Sequence, residues 1–291
     1  MSALLENQSE VRPFGPLALL GWAHGDESTA AFRPRNSIRR LLLPLFEQVA
    51  ESSFNWRAES VGLWRTAEGR YWMPRLVFAR TGEEPTIKLA IFAGIHGDEP
   101  SGVYALCDLV RSLEALPTLA RQYAIDVYPL CNPTGYEDGT RHSRSGKDLN
   151  REFWRGSAEP EVQLLEREIE QRHYDGMIAL HSDDTSVGLY GFVRGATLTE
   201  HLLKPALTAA AELLPVNYES TIDGFHAVNG IIHSAYDGIL SSPPGTMPAP
   251  FEIILESPAL APLALQRAAL LFAVTEIIRH YRRLIAYGAD L

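Results

Sequence analysis

IKLAIFAGIHGDEPSG, residues 87–102, is the stretch whose reading decides the fold. Its first half, Ile87–Gly94, is a near-continuous apolar run, the pattern of a strand covered on both faces. The chain then turns polar at once. Gly94 and Gly97 permit a sharp backbone path, and the residues from about Pro100 to Leu113 are apolar at helical spacing. Three more runs read as buried strands: AIDVYPLC (124–131), GMIALH (176–181) and FEIILES (251–257). Between them, helices are expected from Glu159-Pro160 onward, where acidic residues suit a helix start, and over 197–214. A further helix is expected over 260–285. Alternation of this kind predicts an α/β fold with a mixed, mostly parallel sheet and helices on both faces.

Upstream, Ile38, Leu41, Leu42, Leu45, Phe46 and Val49 mark one side of a helix over 37–50. Ser60–Arg65 and Tyr71–Ala79 read as a hairpin about Glu68-Gly69. Residues 1–33, broken by Pro13, Gly15, Pro16, Gly21 and Gly25, are expected as an extension packed on one domain that covers 34–291. The chain of 291 residues is 46% apolar and carries a net charge of −10. That charge repels phosphate backbones and argues against nucleic acid as the partner. Cys107 and Cys131 read as buried thiols rather than a disulfide framework. The N-terminus lacks the basic and apolar regions of a signal peptide, and no apolar run is long enough to span a membrane. The expected location is cytoplasmic.

In such sheets ligands bind beyond the carboxyl ends of the strands. Three groups there attract attention. His96 and Glu99 stand three residues apart on the turn after the first buried strand, and His181 ends another. Alone, each has a bland reading: a surface turn, a satisfied core histidine. Together they offer two nitrogens and one oxygen and leave a fourth tetrahedral position for water, the composition of a catalytic zinc site with one ion per chain. His226 and His233, in the Gly-rich stretch before Pro250, remain as outside candidates. The loop NPTGYEDGTRHSRSGKDLNREF (132–153) brings Arg141, Arg144 and Arg151 to the same rim. Arginines read carboxylates in a planar, bidentate way, so a substrate with a free carboxylate is expected. Asp148 is placed to orient a ligating histidine. Glu256, at the end of the last buried strand, is an acid in an apolar run with no evident partner. A general base would explain it. Glu252 begins that strand and faces the opposite rim.

GIHGDE, NPTG, GTR, KDLNR, ALHS and LESP, spread from Ile87 to Ser257, follow the order of the zinc carboxypeptidase family, which this chain resembles together with the related N-acyl amino acid deacylases. The resemblance implies a twisted sheet of about eight strands. It implies zinc held by His96, Glu99 and His181, with Asp148 behind the first histidine. It implies a carboxylate clamp of Asn150 and Arg151, an oxyanion-stabilising Arg141, and Glu256 as base and acid. A substrate-binding tyrosine is expected at Tyr236 rather than Tyr218. The activity implied is a zinc metallocarboxypeptidase cutting the C-terminal amide bond of a peptide, cell-wall peptides included. The alternative is a deacylase of small N-acyl amino acids, as in the succinylglutamate desuccinylase and aspartoacylase branch. That branch has a β-rich domain where the residues after Glu256 read as one helix, which favours the peptidase. A non-catalytic binding module is the third reading, and it predicts loss of a key residue where all four are present. The side-chain pocket is expected over Asn229–Leu240, with Ile231 and Ile232 as apolar lining or Asp237 as a basic preference. Asp183 and Asp184 are candidates for contact with a second ion.

Overall fold

A computed structural model describes residues 35–288 apart from 53, 54, 80, 81 and 83, together with Leu4–Leu5. In chain order the elements are β1 (Leu4–Leu5), α1 (Ile38–Glu51), β2 (Trp56–Arg65), β3 (Arg70–Ala79), β4 (Ile87–Ala93), α2 (Ser101–Ala115), β5 (Tyr123–Tyr128), α3 (Pro133–Asp138) and α4 (Pro160–Arg172). They continue with β6 (Gly176–Asp183), β7 (Tyr190–Val193) and α5, which starts at Ala196–Leu198 and passes through a π-turn (Thr199–Leu203) into Lys204–Ala210. β8 (Thr221–Ile222), β9 (Phe225–Val228), β10 (Ile231–Ile232), β11 (Phe251–Pro258) and α6 (Leu263–Gly288) complete the list.

Among the described residues ten strands lie between Trp56 and Pro258, and β1 makes eleven, in the order β1-β2-β3-β5-β4-β6-β11-β7-β10-β9-β8. The expected eight is therefore too few. The excess lies in β1, β8 and β10, two residues each, too short for any periodicity to reveal. The centre, β5-β4-β6-β11, is parallel throughout, and antiparallel strands flank it. The central strands carry branched and aromatic residues on both faces because both faces are covered. Tyr123 donates to the Ile278 carbonyl, which puts α6 over one face of β5. The other face belongs to α4: Tyr128 donates to Glu168 of that helix, and Arg75 of β3 pairs with the same carboxylate. Tyr174 donates to Asp126 at 2.7 Å, so the carboxylates of this buried polar patch have partners.

From β4 the chain crosses through α2 to β5 on one side, whereas β6 pairs on the other side of β4. The connections diverge at this point, and a crevice opens at the carboxyl ends of β4 and β6. Ala93 pairs with Leu180, and Glu256 of β11 pairs with His181. The register thus sets His96, His181 and Glu256 along one edge.

Two long loops are more ordered than expected. The loop 132–157 contains α3 and a short 3-10 turn at Leu149–Arg151. The Gly- and Pro-rich stretch before β11 contains β8, β9 and β10. The expected extension 1–33 lies outside the described residues, save that Leu4 and Leu5 pair with Arg65 and Trp64. No helix among the described residues is long and apolar enough to cross a membrane.

Ile91 is fully buried at the middle of β4. Replacing it with alanine should cost about 2–5 kcal/mol. Urea unfolding should show a lower midpoint at unchanged slope, and a loss well under 1 kcal/mol would refute this account of the core.

Candidate active site

The residues between β4 and α2 form a tight turn. Gly94 takes the left-handed region (φ +62°), and a Cβ there would stand 2.9 Å from Leu130. Gly97 faces a different constraint. A Cβ on it would lie 2.0 Å from the backbone carbon of Gly135, so the His96 turn and the start of α3 interlock backbone to backbone. Asn132, fully buried, completes the lock. Its side chain caps α3 at the Gly135 N–H (2.8 Å) and donates to the carbonyls of Ile95 (3.2 Å) and Arg141 (3.3 Å). One amide thus ties together the turn after β4, the start of α3 and the backbone at Arg141.

At the crevice, ligand atoms of His96, Glu99 and His181 lie within 4.8 Å of one another. His96 Nδ1 is 2.6 Å from Glu99 Oε1, and His181 Nδ1 is 3.0 Å from Glu99 Oε2 and 3.2 Å from His96 Nδ1. The three residues are 3%, 7% and 2% exposed for His96, Glu99 and His181, so bulk water does not solvate them. The donor set fits a divalent cation of the zinc type: two borderline nitrogens and a carboxylate converge from one side and leave the pocket side open. The far nitrogen of His96 meets Asp148 Oδ1 at 3.2 Å, the arrangement that fixes the tautomer of a ligating imidazole. The Ser182 N–H donates to Glu99 Oε2 at 3.0 Å and holds the carboxylate in place.

The electrostatics follow from this packing. Burial alone would raise the Glu99 carboxyl, but the charges of His181 and His96 hold it well below the usual range. Asp148 is also depressed, because its bond to His96 and the Arg141 charge outweigh burial. Burial dominates at His181 and pushes it below its ordinary value, toward the neutral form that ligates. At His96 burial is outweighed by Glu99 and Asp148, and the ring rises above its ordinary value. Glu256 faces the pocket and meets no hydrogen-bond partner among the described residues. Burial, reinforced by Glu99, Asp183 and Asp223 and opposed by Arg141, holds it well above the usual carboxylate range.

The pocket in front of these groups has a volume of about 300 Å³. Arg141, Asn150, Arg151, Tyr236 and Glu256 all line it, as do the three metal-ligand candidates. Arg141 donates to Asp148 at 3.1 Å and reaches Glu99 at 3.5 Å. Asn150 accepts the Leu240 N–H at 2.8 Å, and its own N–H donates to Asp148 at 3.0 Å. Arg151 donates to the Asn150 carbonyl, and its guanidinium lies 4.0 Å from the centre of the Tyr236 ring.

Some expected members lie elsewhere. Arg144 is outside the pocket, paired with Asp138 (2.7 Å) and Glu137 (3.3 Å), where it braces the loop. Ile231 and Ile232 are buried in β10, so Ala235 and Ile239 line the pocket from that stretch instead. Asp237 is almost wholly exposed and borders a larger neighbouring cleft of about 880 Å³. Tyr218 is exposed, and neither it nor His226 nor His233 lines the pocket. Glu252 accepts the Ser242 N–H and borders the larger cleft. Asp183 lines the pocket, with both oxygens engaged by Thr185 (2.7 Å) and Tyr190 (2.8 Å).

The sequence reading missed the support beneath the ligands. Ser101, Ser182 and Ser257 form a hydroxyl chain (2.5 and 3.0 Å) under His181 and Glu99. Gln266 of α6 accepts from Ser182 (3.3 Å) and Ser257 (3.2 Å) and donates to the Ala259 and Ala261 carbonyls. A lone glutamine in the apolar helix face LALQRAALLF was the available signal.

Comparison with known proteins bears on the fold and the family likeness. The model of the succinylglutamate desuccinylase/aspartoacylase catalytic domain matches residues 85–224. Murein peptide amidase A of Escherichia coli K12 is 44% identical over 64 residues, which is 22% of this chain and 24% of that protein's length. The fold is shared with a protein of Shewanella denitrificans OS217 provisionally described as a metallopeptidase, with TM-score 0.69 at 21% identity over 84% of this chain and 90% of that one. It is also shared with a metallo-carboxypeptidase of Burkholderia cenocepacia, with TM-score 0.62 at 22% identity over 86% and 70% of the respective chains. These matches bear out the resemblance read from the motifs.

Two variants test the metal centre. Protein dialysed against zinc should carry about one ion per chain. His181→Ala should bind zinc at least about tenfold more weakly, and so should Gly97→Ala, which removes no ligand but parts the interlocked turns. Metal analysis after equilibrium dialysis reads both, and full zinc occupancy in His181→Ala would remove it from the ligand set.

Proposed function

We propose that this chain, which has the fold that zinc carboxypeptidases share with N-acyl amino acid deacylases, is a zinc-dependent hydrolase that cuts an amide bond beside a free carboxylate, acting as a carboxypeptidase. One observation carries the proposal. His96, Glu99 and His181, drawn from distant parts of the chain, share one small pocket with Glu256, Arg141 and Arg151.

Zinc held by His96, Glu99 and His181 would supply a Lewis acid and lower the pKa of a bound water. The chain's own residues supply the rest. Arg151, with its guanidinium backed by the Tyr236 ring, is the natural partner for the substrate carboxylate. Asn150, fixed by the Leu240 and Asp148 contacts, stands beside it. Holding the substrate there reduces the entropic part of the barrier. Arg141, already oriented by Asp148, presents its remaining N–H groups to the charge that develops on the scissile oxygen. Glu256, raised well above the usual carboxylate range, is a strong enough base to take the proton of the attacking water and then pass it to the leaving nitrogen.

A peptide substrate is supported by the amidase and carboxypeptidase likenesses. The matched family model favours a second reading, deacylation of a small N-acyl amino acid. A cytoplasmic location belongs to the same proposal, and the two buried free thiols, Cys107 and Cys131, support it.

A panel of peptides and N-acyl amino acids, read by mass spectrometry with and without chelator, separates the readings. Release of C-terminal residues that stops on chelation supports the carboxypeptidase. Cleavage of acyl amino acids alone supports the deacylase, and no metal-dependent cleavage of either overturns both. Glu256→Gln should keep its zinc and lose at least about 100-fold in kcat. Arg151→Ala should chiefly raise KM for carboxylate-bearing substrates. The free-enzyme kcat/KM should rise with pH as Glu256 loses its proton. Because that pKa is raised, the limb should lie above the ordinary glutamate value of about 4.3.

A further inference from the structure

The floor of the pocket continues past the catalytic edge. Alternate residues of a strand share one face, and pairing aligns such residues of β6, β11 and β7 in three rungs. In the first, Glu256 pairs with His181 and Tyr190. Two residues down β11, Ile254 pairs with Ala179 and Phe192, and two further down Glu252 pairs with Met177. The first rung lines the pocket of about 300 Å³, and the third lines the neighbouring cleft of about 880 Å³. Ile254 and Phe192, in the middle rung, line both, and so do Ala235 and Ile239 of the stretch after β10. Ala179 has the smallest side chain of the three rungs. The two cavities thus meet on one sheet face at a neck of apolar side chains. From the Glu256 rung to the Glu252 rung is about 13 Å, farther than an unmodified side chain reaches. Beyond the neck the lining includes Glu252, Arg155, Arg194, Ser241 and Ser242.

We propose that the pocket and the cleft form one trough, built for a leaving residue whose side-chain nitrogen is acylated, as in a lysine that carries a peptide branch at Nε. The proposal rests on the hydrolase reading above and names its substrate class. With the α-carboxylate on Arg151, the side-chain methylenes fill the neck, where their burial is favourable. The amide and the branch beyond it reach the polar side chains of the cleft, which answer their N–H and C=O groups. An unmodified lysine leaves its ammonium in the apolar neck, which is costly. The order along the trough, apolar first and polar beyond, is what points to a branch rather than to a merely bulky residue.

The test uses the zinc-loaded protein and a ladder of N-acetyl-alanyl peptides that end in alanine, lysine, Nε-acetyl-lysine or Nε-(acetyl-diglycyl)-lysine. The branched peptide should be cleaved with a kcat/KM within about tenfold of the Nε-acetyl-lysine peptide and above that of the lysine peptide. Ala179→Phe narrows the neck and should lower the branched-to-alanine ratio of kcat/KM at least about tenfold. Circular dichroism and zinc content report whether that variant folds, and the wild-type ladder decides alone if it does not. Calorimetry reads binding apart from cleavage: free Nε-(acetyl-diglycyl)-lysine should bind at least about tenfold tighter than free lysine. A branched peptide cleaved more than about tenfold less well than the Nε-acetyl-lysine peptide, or no better than the lysine peptide, overturns the proposal. A smaller fall than about tenfold in folded Ala179→Phe overturns it too. Branch-dependent binding with no hydrolysis of any peptide would sink the hydrolase reading and leave the trough standing. Hydrolysis of the unbranched peptides alone would do the reverse.

Discussion

The parallel pairing of β4 with β6 is the constraint on which the rest of this structure depends. It is not formed by neighbours in sequence: β4 reaches β5 first, and β6 arrives later on the opposite flank. The register that sets Ala93 against Leu180 carries the turn after β4 and the end of β6 to a common height. β11 then adds Glu256 alongside His181. A slip of one residue in any of these pairs would reverse every side chain on the strand. The apolar cores of β4 and β6, buried on both faces, make such a slip costly, so the chemistry at the edge inherits its precision from packing in the middle.

Burying two imidazoles and a carboxylate at that edge is unfavourable unless their charges and hydrogen bonds are met. Glu99 meets two rings and a backbone N–H, and Asp148 meets the remaining side of His96. Beneath them, Ser101, Ser182, Ser257 and Gln266 carry the polar chain into α6. The long C-terminal helix is thus more than cover for the sheet. It anchors the strand ends where the segments bearing His181 and Glu256 meet.

The central strands and the ligand constellation were legible in the sequence because buried parallel strands leave continuous apolar runs, and the residues that follow them must share an edge. Glu256 stood out for a related reason, as an acid where the pattern wanted an apolar residue. Arg144 was not separable from Arg141 and Arg151, since three arginines in one polar loop look alike until Asp138 and Glu137 claim one of them. The hairpin β8–β9 left no trace, because strands of two and four residues carry no usable period. Its contribution to the pocket, Asp223, was therefore invisible, while its partner Tyr236 entered only through family resemblance. Ser182 and Gln266 were hidden for a different reason: a single polar residue in an apolar run gains meaning only once its partners are in place.

The contact between Gly97 and Gly135 has a wider consequence. With no side chain between the two turns, the metal side of the pocket and the base of the arginine loop move as one piece and have no room for remodelling. The stretch before β11 is held to the same loop in the same way, since a Cβ on Gly238 would lie 2.3 Å from the Arg151 carbonyl oxygen. Both sides of the cavity are thus framed by backbones in contact, and what the cavity admits can be altered only by exchanging the side chains that line it.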